Sequence, residues 1–278
     1  QTPPCTINII LKKIKKVIFA ISDVDLRSKN KADKKFKKKK ILVKKFILKK
    51  FAKKFYLSYF YKHLNKMPFV DAKLAVSNDY FTINRKEKYI TNMKSRILGN
   101  FLRSKYDCLL TTSKTINDDN PLLNCRVEGL ENKTPSLIVI DRFLKVNKNS
   151  KIFKENKRKI FIVTSEKNSS KEIFFKNKGV KIIKSIKGND DNQNLKNIFI
   201  CIKKLGFNRI LVESGNTFLN SLLRSNLIRN FYLFKSSKNI RSKGHNNSSN
   251  SLIKKIKISK KNRIKINLKE DNLYKISL

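Results

Sequence analysis

From Met67 onward, short apolar runs alternate with stretches whose apolar residues recur at helical spacing. The runs "FVDAKLAVS" (69–77), "YDCLLTTS" (106–113), "PSLIVID" (135–141), "KIFIVTS" (159–165), "VKIIKS" (180–185) and "RILVESG" (209–215) read as strands, several of them apolar enough to be covered on both faces. Between them, Met93, Ile97, Leu98, Phe101 and Leu102 share one face of a helix over 91–105 that Thr91 can cap. Leu195, Ile198, Phe199, Ile202 and Leu205 do the same over 192–205, with Gly206 as the stop, and a further helix over 217–225 follows the strand at 209–215 directly. The end of the chain, 253–278, alternates in the manner of strands and hairpins. Strand–helix alternation closed by antiparallel pairing predicts an α/β domain with a mostly parallel sheet and an antiparallel C-terminal edge. Such sheets bind ligands at the carboxyl ends of their strands.

The first 66 residues follow a different pattern. "KVIFAIS" (16–22) predicts a strand, and 41–65 pairs apolar residues with lysines at near-helical spacing. That spacing predicts a basic-coated helix packed on its own domain; a membrane-surface helix is the competing reading.

Charge then enters. The net charge of +46 suggests nucleic acid, but only 12 of the 66 basic residues are arginine and the other 54 are lysine. Nucleic-acid recognition favours the planar guanidinium fork. Abundant Lys, Asn, Ile and Phe, with 7 Gly, 5 Pro and no Trp, fit an A/T-biased coding sequence in which lysine fills solvated faces. Against that background each arginine is informative. No apolar run reaches the roughly 18 to 20 residues that cross a bilayer. Cys5, Cys108, Cys125 and Cys201 form no CxxC pair; Cys108, Cys125 and Cys201 read as free thiols of a reducing, cytoplasmic compartment.

Three segments stand out chemically. In "ILVESGNTFLNSLL" (210–223) a strand delivers Glu213, a turn at Ser214-Gly215 follows, and a helix begins. Unpaired N–H groups at a helix start suit a phosphate, and Gly215 would allow close approach; a plain strand-to-helix turn remains the alternative. Neither GxGxxG nor GxxxxGK[ST] occurs in the chain. "TINDDNPLLNCR" (115–126) reads as an acidic turn, in which Thr115 and Asp119 could meet ribose hydroxyls and Arg126 a phosphate. Arg103, at the end of the helix over 91–105, points to the same edge. Lys73 sits inside an apolar strand, where it either snorkels or has a partner and a task. The histidines His63 and His245 begin "HLN" and "HNN", so no complete zinc-deaminase site can be drawn.

Taken in order, "PFVDAKLAVSNDYFTI", "KYITN", "FLRSKYDCLLTTSKTINDDNPLLNCR", "PSLIVIDR", "GFNRILVESGNTFLNSLL" and "LIRNFYLF" resemble the bifunctional riboflavin-biosynthesis deaminase/reductase family over about 67–235. That family joins a zinc-dependent pyrimidine deaminase to an NADPH-dependent ribosylaminouracil reductase. The resemblance implies a dihydrofolate-reductase-like three-layer domain over 67–278. "QTPPCT" (1–6) resembles the end of the deaminase zinc motif. Residues 1–66 are therefore expected to be the C-terminal half of a cytidine-deaminase-like domain. Cys5 would be one ligand of a zinc site whose other ligands lie upstream, and deamination would need the full-length protein. The resemblance further implies NADPH contacts at Ala75, Tyr89, Thr115, Asp119 and Arg142, and phosphate contacts along Gly215, Asn216, Thr217, Phe218, Leu219, Asn220 and Ser221. It places substrate contacts at Arg103, Leu123, Arg126 and Glu213, with Lys73 and Glu213 at the reacting centre. Tyr89 stands where the family often has tryptophan, and Asn216 where it usually has proline.

The expected reaction is hydride transfer to C1′ of 5-amino-6-(5-phosphoribosylamino)uracil, a phosphorylated pyrimidine substrate. No nucleic-acid or membrane partner is expected, and the resemblance implies a homodimer. Three alternatives stand beside this: the sister reductase acting on the diaminopyrimidinone before deamination, a lysine-rich nucleic-acid binder on the same scaffold, and an inactive fragment.

Overall fold

The computed structural model describes residues 4–25, 31–154, 158–185, 188–247, 253, 256 and 258–278, and the chain divides into two compact units, 1–66 and 67–278. No helix among the described residues is long and apolar enough to cross a membrane.

The first unit contains α1 (Cys5–Leu11), β1 (Lys16–Phe19), α2 (Lys31–Lys38), β2 (Leu42–Lys45), α3 (Lys49–Phe55) and α4 (Leu57–Leu64). β1 and β2 pair in parallel, Lys16 opposite Leu42. The expected single helix over 41–65 is not found. Its apolar start, Leu42-Val43, pairs with β1 instead, and Phe46 (φ 67°) and Leu48 (φ 56°) adopt left-handed backbone that interrupts any continuous helix. Its lysine-flanked aromatics do not pack inward either: Phe51 and Phe55 are 77% and 80% exposed. Phe36 is the one buried apolar residue among the described residues of this unit.

The second unit is built on one eight-stranded sheet. Its strands are β3 (Phe69–Val76), β5 (Cys108–Thr112), β6 (Ser136–Ile140), β7 (Ile160–Thr164), β8 (Lys181–Lys184), β9 (Arg209–Glu213), β10 (Asn230–Lys235) and β12 (Asn272–Ser277). β4 (Phe81–Asn84) and β11 (Gly244–Asn247) form a separate antiparallel pair. The helices are α5 (Met93–Arg103), α6 (Ser113–Asp119), α7 (Ser169–Asn177), α8 (Asp191–Lys204) and α9 (Asn216–Arg224). The sheet order is β12-β10-β3-β9-β5-β6-β7-β8, and only the β10–β12 pairing is antiparallel. The α/β sheet with its antiparallel C-terminal edge is the one the sequence predicts.

Alternate strand residues feed two cores. Leu109, Leu137, Val139, Ile162 and Leu211 pack on one face. Leu110, Ile138, Phe161, Val163 and Val212 pack on the other, against α8 and α9 through Phe199, Ile202, Leu219 and Leu222. From β5 the chain winds outward through β6, β7 and β8; β9 then returns to lie between β3 and β5. The carboxyl end of β9 is thus a topological switch point, where parallel sheets open a crevice.

Two expectations need correction. The acidic stretch at 115–126 is not all turn: Ser113–Asp119 is helix α6, capped by the Thr112 side chain accepting from Thr115 N, and stopped by Asn120 at φ 41° just before Pro121. The C-terminal segment supplies one strand, β12, after a 3-10 turn at Lys260–Asn262, rather than a series of hairpins; residues 254, 255 and 257 of that expectation lie outside the described residues.

Candidate active site

The switch point gathers three charged side chains that three elements deliver separately. β9 ends on Glu213, which is buried. β3 places Lys73 directly opposite Glu213 in the ladder, with Nζ 3.7 Å from Oε2. α5 ends on Arg103, whose Nε donates to Glu213 Oε1 at 2.7 Å and whose Nη2 donates to Oε2 at 3.0 Å. The α5 start is fixed by Asn92, which caps Ser95 N and donates to Leu268 O, and by Asp271, which accepts from Asn92 N and Ser95 Oγ.

A carboxylate this buried would ordinarily resist ionisation. Burial does push Glu213 up, but Arg103 and Lys73 outweigh it and hold it down at about 2. Burial lowers the Lys73 ammonium, the nearby Arg103 lowers it further, and Glu213 restores only part of the loss. Gly99 lies alongside this lysine: a Cβ there would stand 3.8 Å from Lys73 Cε, in ordinary contact. Phe234 covers the ammonium at 5.5 Å.

Next to Glu213 lies the start of α9. Its cap, Gly215, has no side chain to bond the first turn. Gly215 N donates to Thr115 Oγ1 at 3.4 Å, and the hydroxyls of Thr112, Thr115 and Ser214 cluster within 3.1 to 3.4 Å. Asn220 Oδ1 is buried with no hydrogen-bond partner. A Cβ at Gly215 would meet open space. Space, an uncapped helix start and hydroxyl donors suit a phosphorylated cofactor.

The remaining expected residues are placed less uniformly. Asp119 lies one helical turn beyond Thr115 on α6 and is exposed. Arg126 is exposed, its Nη1 donating to Asn124 Oδ1 at 3.3 Å. Arg142 is exposed past the end of β6, 3.5 Å from Asp191. Ala75 shares its strand face with Lys73 and packs against Phe234, Leu268 and Leu273. Tyr89 lies beneath the Arg96 guanidinium at 3.8 Å, beside a cleft of about 390 Å³ that Arg96, Ser236, Lys238 and Asp271 also line.

Two side chains do not point into the site. Leu219 is wholly buried in the core, and its N–H is bonded to Gly215 O at 3.2 Å. Leu123 is buried among Ile116, Leu144 and Ile152, so only its backbone, at φ 53°, faces the loop. Both sit at positions the resemblance carries over, but their own chemistry is apolar packing. Asn100 and Asn124 were not anticipated from the sequence. Arg103 Nη1 donates to Asn100 Oδ1 at 3.1 Å and to Asn124 O at 2.9 Å. The three-residue spacing of Asn100 and Arg103 on a predicted helix was the available signal. In the first unit Cys5 is exposed at the start of α1, and no group of three or more His, Cys, Asp or Glu that could hold a metal occurs among the described residues. The residues described do not make a zinc site.

Fold and site together describe an α/β domain with a charged side-chain cluster and an anion-ready helix start at the carboxyl edge of a parallel sheet. The family pattern described as RibD C-terminal domain matches residues 68–240, and the chain belongs to that family. It is 28% identical over 236 residues to the riboflavin biosynthesis protein RibD of Aquifex aeolicus (strain VF5), covering 84% of this chain and 64% of that protein. It is 32% identical over 165 residues to the 5-amino-6-(5-phosphoribosylamino)uracil reductase of Buchnera aphidicola subsp. Acyrthosiphon pisum (strain APS), covering 54% of this chain and 75% of that protein. Solved structures share the fold: Acinetobacter baumannii RibD (form 1), with TM-score 0.78 at 20% identity, covers 99% of this chain and 76% of that one. A Thermotoga maritima deaminase/reductase has TM-score 0.76 at 22% identity, over 99% and 75%. The chain spans a little under two thirds of the first curated RibD relatives, 64% and 65% of their length.

Proposed function

We propose that residues 67–278 reduce 5-amino-6-(5-phosphoribosylamino)uracil with NADPH, converting the ribosyl chain to ribityl. The observation that carries this is the buried Glu213 with half-buried Lys73 and Arg103 around it, beside the start of α9, in a chain of the RibD C-terminal domain family. NADPH, when bound, supplies the hydride that C1′ accepts. The first turn of α9, with Thr115 and Gly215, would hold its phosphates, and Tyr89 would lie along its rings.

The chain's own residues position and balance charge. Glu213 stays ionised and accepts hydrogen bonds from the substrate's sugar hydroxyls, since each carboxylate oxygen keeps a lone pair beyond its bond to Arg103. Lys73, with its ammonium weakened by burial, gives a proton from Nζ to the ring oxygen as the sugar opens. Arg126, exposed on the loop after α6, meets the substrate phosphate bidentately. Phe234 lies over the half-buried ammonium and shields it on one side.

Residues 1–66 are read as part of a deaminase domain with Cys5 among its ligands. A homodimer in the cytoplasm is the expected assembly, which light scattering of the purified chain tests. For the activity, NADPH consumption with the deaminated ribosylaminouracil phosphate is the test, with Glu213→Ala as control.

A further inference from the structure

Arg103 is gripped from more sides than a carboxylate partner requires. Beyond its two bonds to Glu213, its Nη1 donates to Asn100 Oδ1 at 3.1 Å and to Asn124 O at 2.9 Å. Four of its five N–H groups are thereby committed, and one on Nη2 remains for a ligand. Asn100 is itself oriented: its Nδ2 donates to Arg96 O at 2.9 Å, one turn earlier on α5, which leaves Oδ1 facing Arg103. The amide cannot flip without losing both bonds. Arg96, Asn100 and Arg103 follow at i, i+4 and i+7 on α5, so one helix face runs from the Tyr89–Arg96 stack to the carboxylate.

We infer that Asn100 is a positioning residue for the reduction: it sets the rotation of the Arg103 guanidinium and, through it, the aim of the Glu213 carboxylate. The inference rests on the reductase reading for its kinetic consequence and on the hydrogen bonds alone for its structural one. An arginine at a helix end has several rotatable bonds. With Nη1 anchored, the fork meets both carboxylate oxygens; with that anchor halved, Arg103 can turn toward solvent or toward a bound phosphate. Glu213 then loses its strongest counter-charge and part of its direction. The Asn100 side chain bonds Arg96 O and Arg103 rather than Glu213 or Lys73, so its polar effect passes through Arg103. Alanine is a better helix former than asparagine, so Asn100→Ala leaves α5 intact.

The test compares Asn100→Ala with Asn100→Asp, which keeps an acceptor toward Arg103, loses the donor to Arg96 O and adds a carboxylate charge beside the guanidinium. In Asn100→Ala, kcat is expected to fall about tenfold or more with KM for NADPH unchanged, and Asn100→Asp should recover most of it. In parallel, the Glu213 carboxylate is titrated by NMR in chain carrying carboxyl-labelled glutamate. Its midpoint should rise in Asn100→Ala, where Arg103 is no longer anchored at Nη1. An unchanged midpoint and kcat in Asn100→Ala overturn the inference. So does equal impairment of both variants with an equal loss of Tm, which would make Asn100 a purely structural residue. If the parent chain oxidises no NADPH, the reductase reading fails separately, and the carboxylate midpoint alone decides the role of Asn100.

Discussion

Lys73 stands opposite Glu213 on the neighbouring strand, yet its Nζ lies 3.7 Å from the carboxylate while both carboxylate oxygens are held by Arg103. The lysine is a neighbour of the ion pair rather than its main partner. The two positions should therefore respond differently to mutation. Lys73→Met leaves the Arg103–Glu213 pair whole and removes a buried cation, so it should keep or raise the parent's Tm while lowering kcat roughly 100-fold or more. Glu213→Ala strands Arg103 as a buried unpaired charge and should cost on the order of 3 kcal/mol of stability along with activity. Urea denaturation and steady-state kinetics on the same two preparations check both halves. A destabilised Lys73→Met would mean that the lysine is structural.

The pH dependence follows from the depressed acidity of Glu213. Its carboxyl is held at about 2, below the ordinary 4.5, so its contribution to stability is complete above about 4.5 and is lost as pH falls toward 2. Urea midpoints measured across this window should fall more steeply for the parent than for Glu213→Gln, which has nothing to protonate there. Lys73 acts in the opposite range. Its lowered ammonium means the folded state gains relative stability as pH rises toward the ordinary 10.5, a gain that Lys73→Met abolishes. Parallel curves for parent and variants would contradict the assignment.

Gly215 separates a folding role from a ligand role. Its φ of −68° is open to any residue, and a Cβ there meets nothing within 4 Å. Gly215→Ala should thus leave Tm unchanged. If a phosphate group approaches the start of α9, the same methyl should raise KM for NADPH several-fold. Isothermal titration with NADPH reads this directly, and unchanged affinity would move the cofactor away from this helix.

Arg126 is exposed, and its Nη1 donates to Asn124 Oδ1. Arg126→Ala should raise KM for the phosphorylated substrate about tenfold or more, since a charge-assisted bond to phosphate is worth roughly 1.5 to 3 kcal/mol. With the dephosphorylated substrate the parent and variant should converge. A loss that persists without the phosphate would show that Arg126 orders its loop instead.

Much of the sheet was legible because its strands are buried on both faces and read as apolar runs, as in "PSLIVID" and "KIFIVTS". Lys73 and Glu213 were each visible, as a charge within one such run and a carboxylate at the end of another. Their register was not, because β9 inserts between β3 and β5 only after the chain has built β6, β7 and β8. Helix α6 was hidden by its own composition. Asn and Asp favour turns, but Thr112 caps the first turn and Asn120 closes the last in left-handed backbone, so the polar stretch between them is helical. The stretch at 41–65 misled in the other direction. Its lysine pairs mimic helical spacing, while Leu42-Val43 prefer the strand that β1 offers. Leu123 and Leu219, expected by resemblance to contact ligands, have side chains buried in the core, so any contact there would be through their backbone.

The most direct test of the account is NADPH oxidation by the purified chain with the deaminated ribosylaminouracil phosphate, run beside Glu213→Ala. The account predicts turnover that collapses in the variant while the variant still binds NADPH. Absence of turnover, together with absence of NADPH binding by fluorescence, would contradict it; turnover confined to the undeaminated diaminopyrimidinone would give the site to the sister reaction instead.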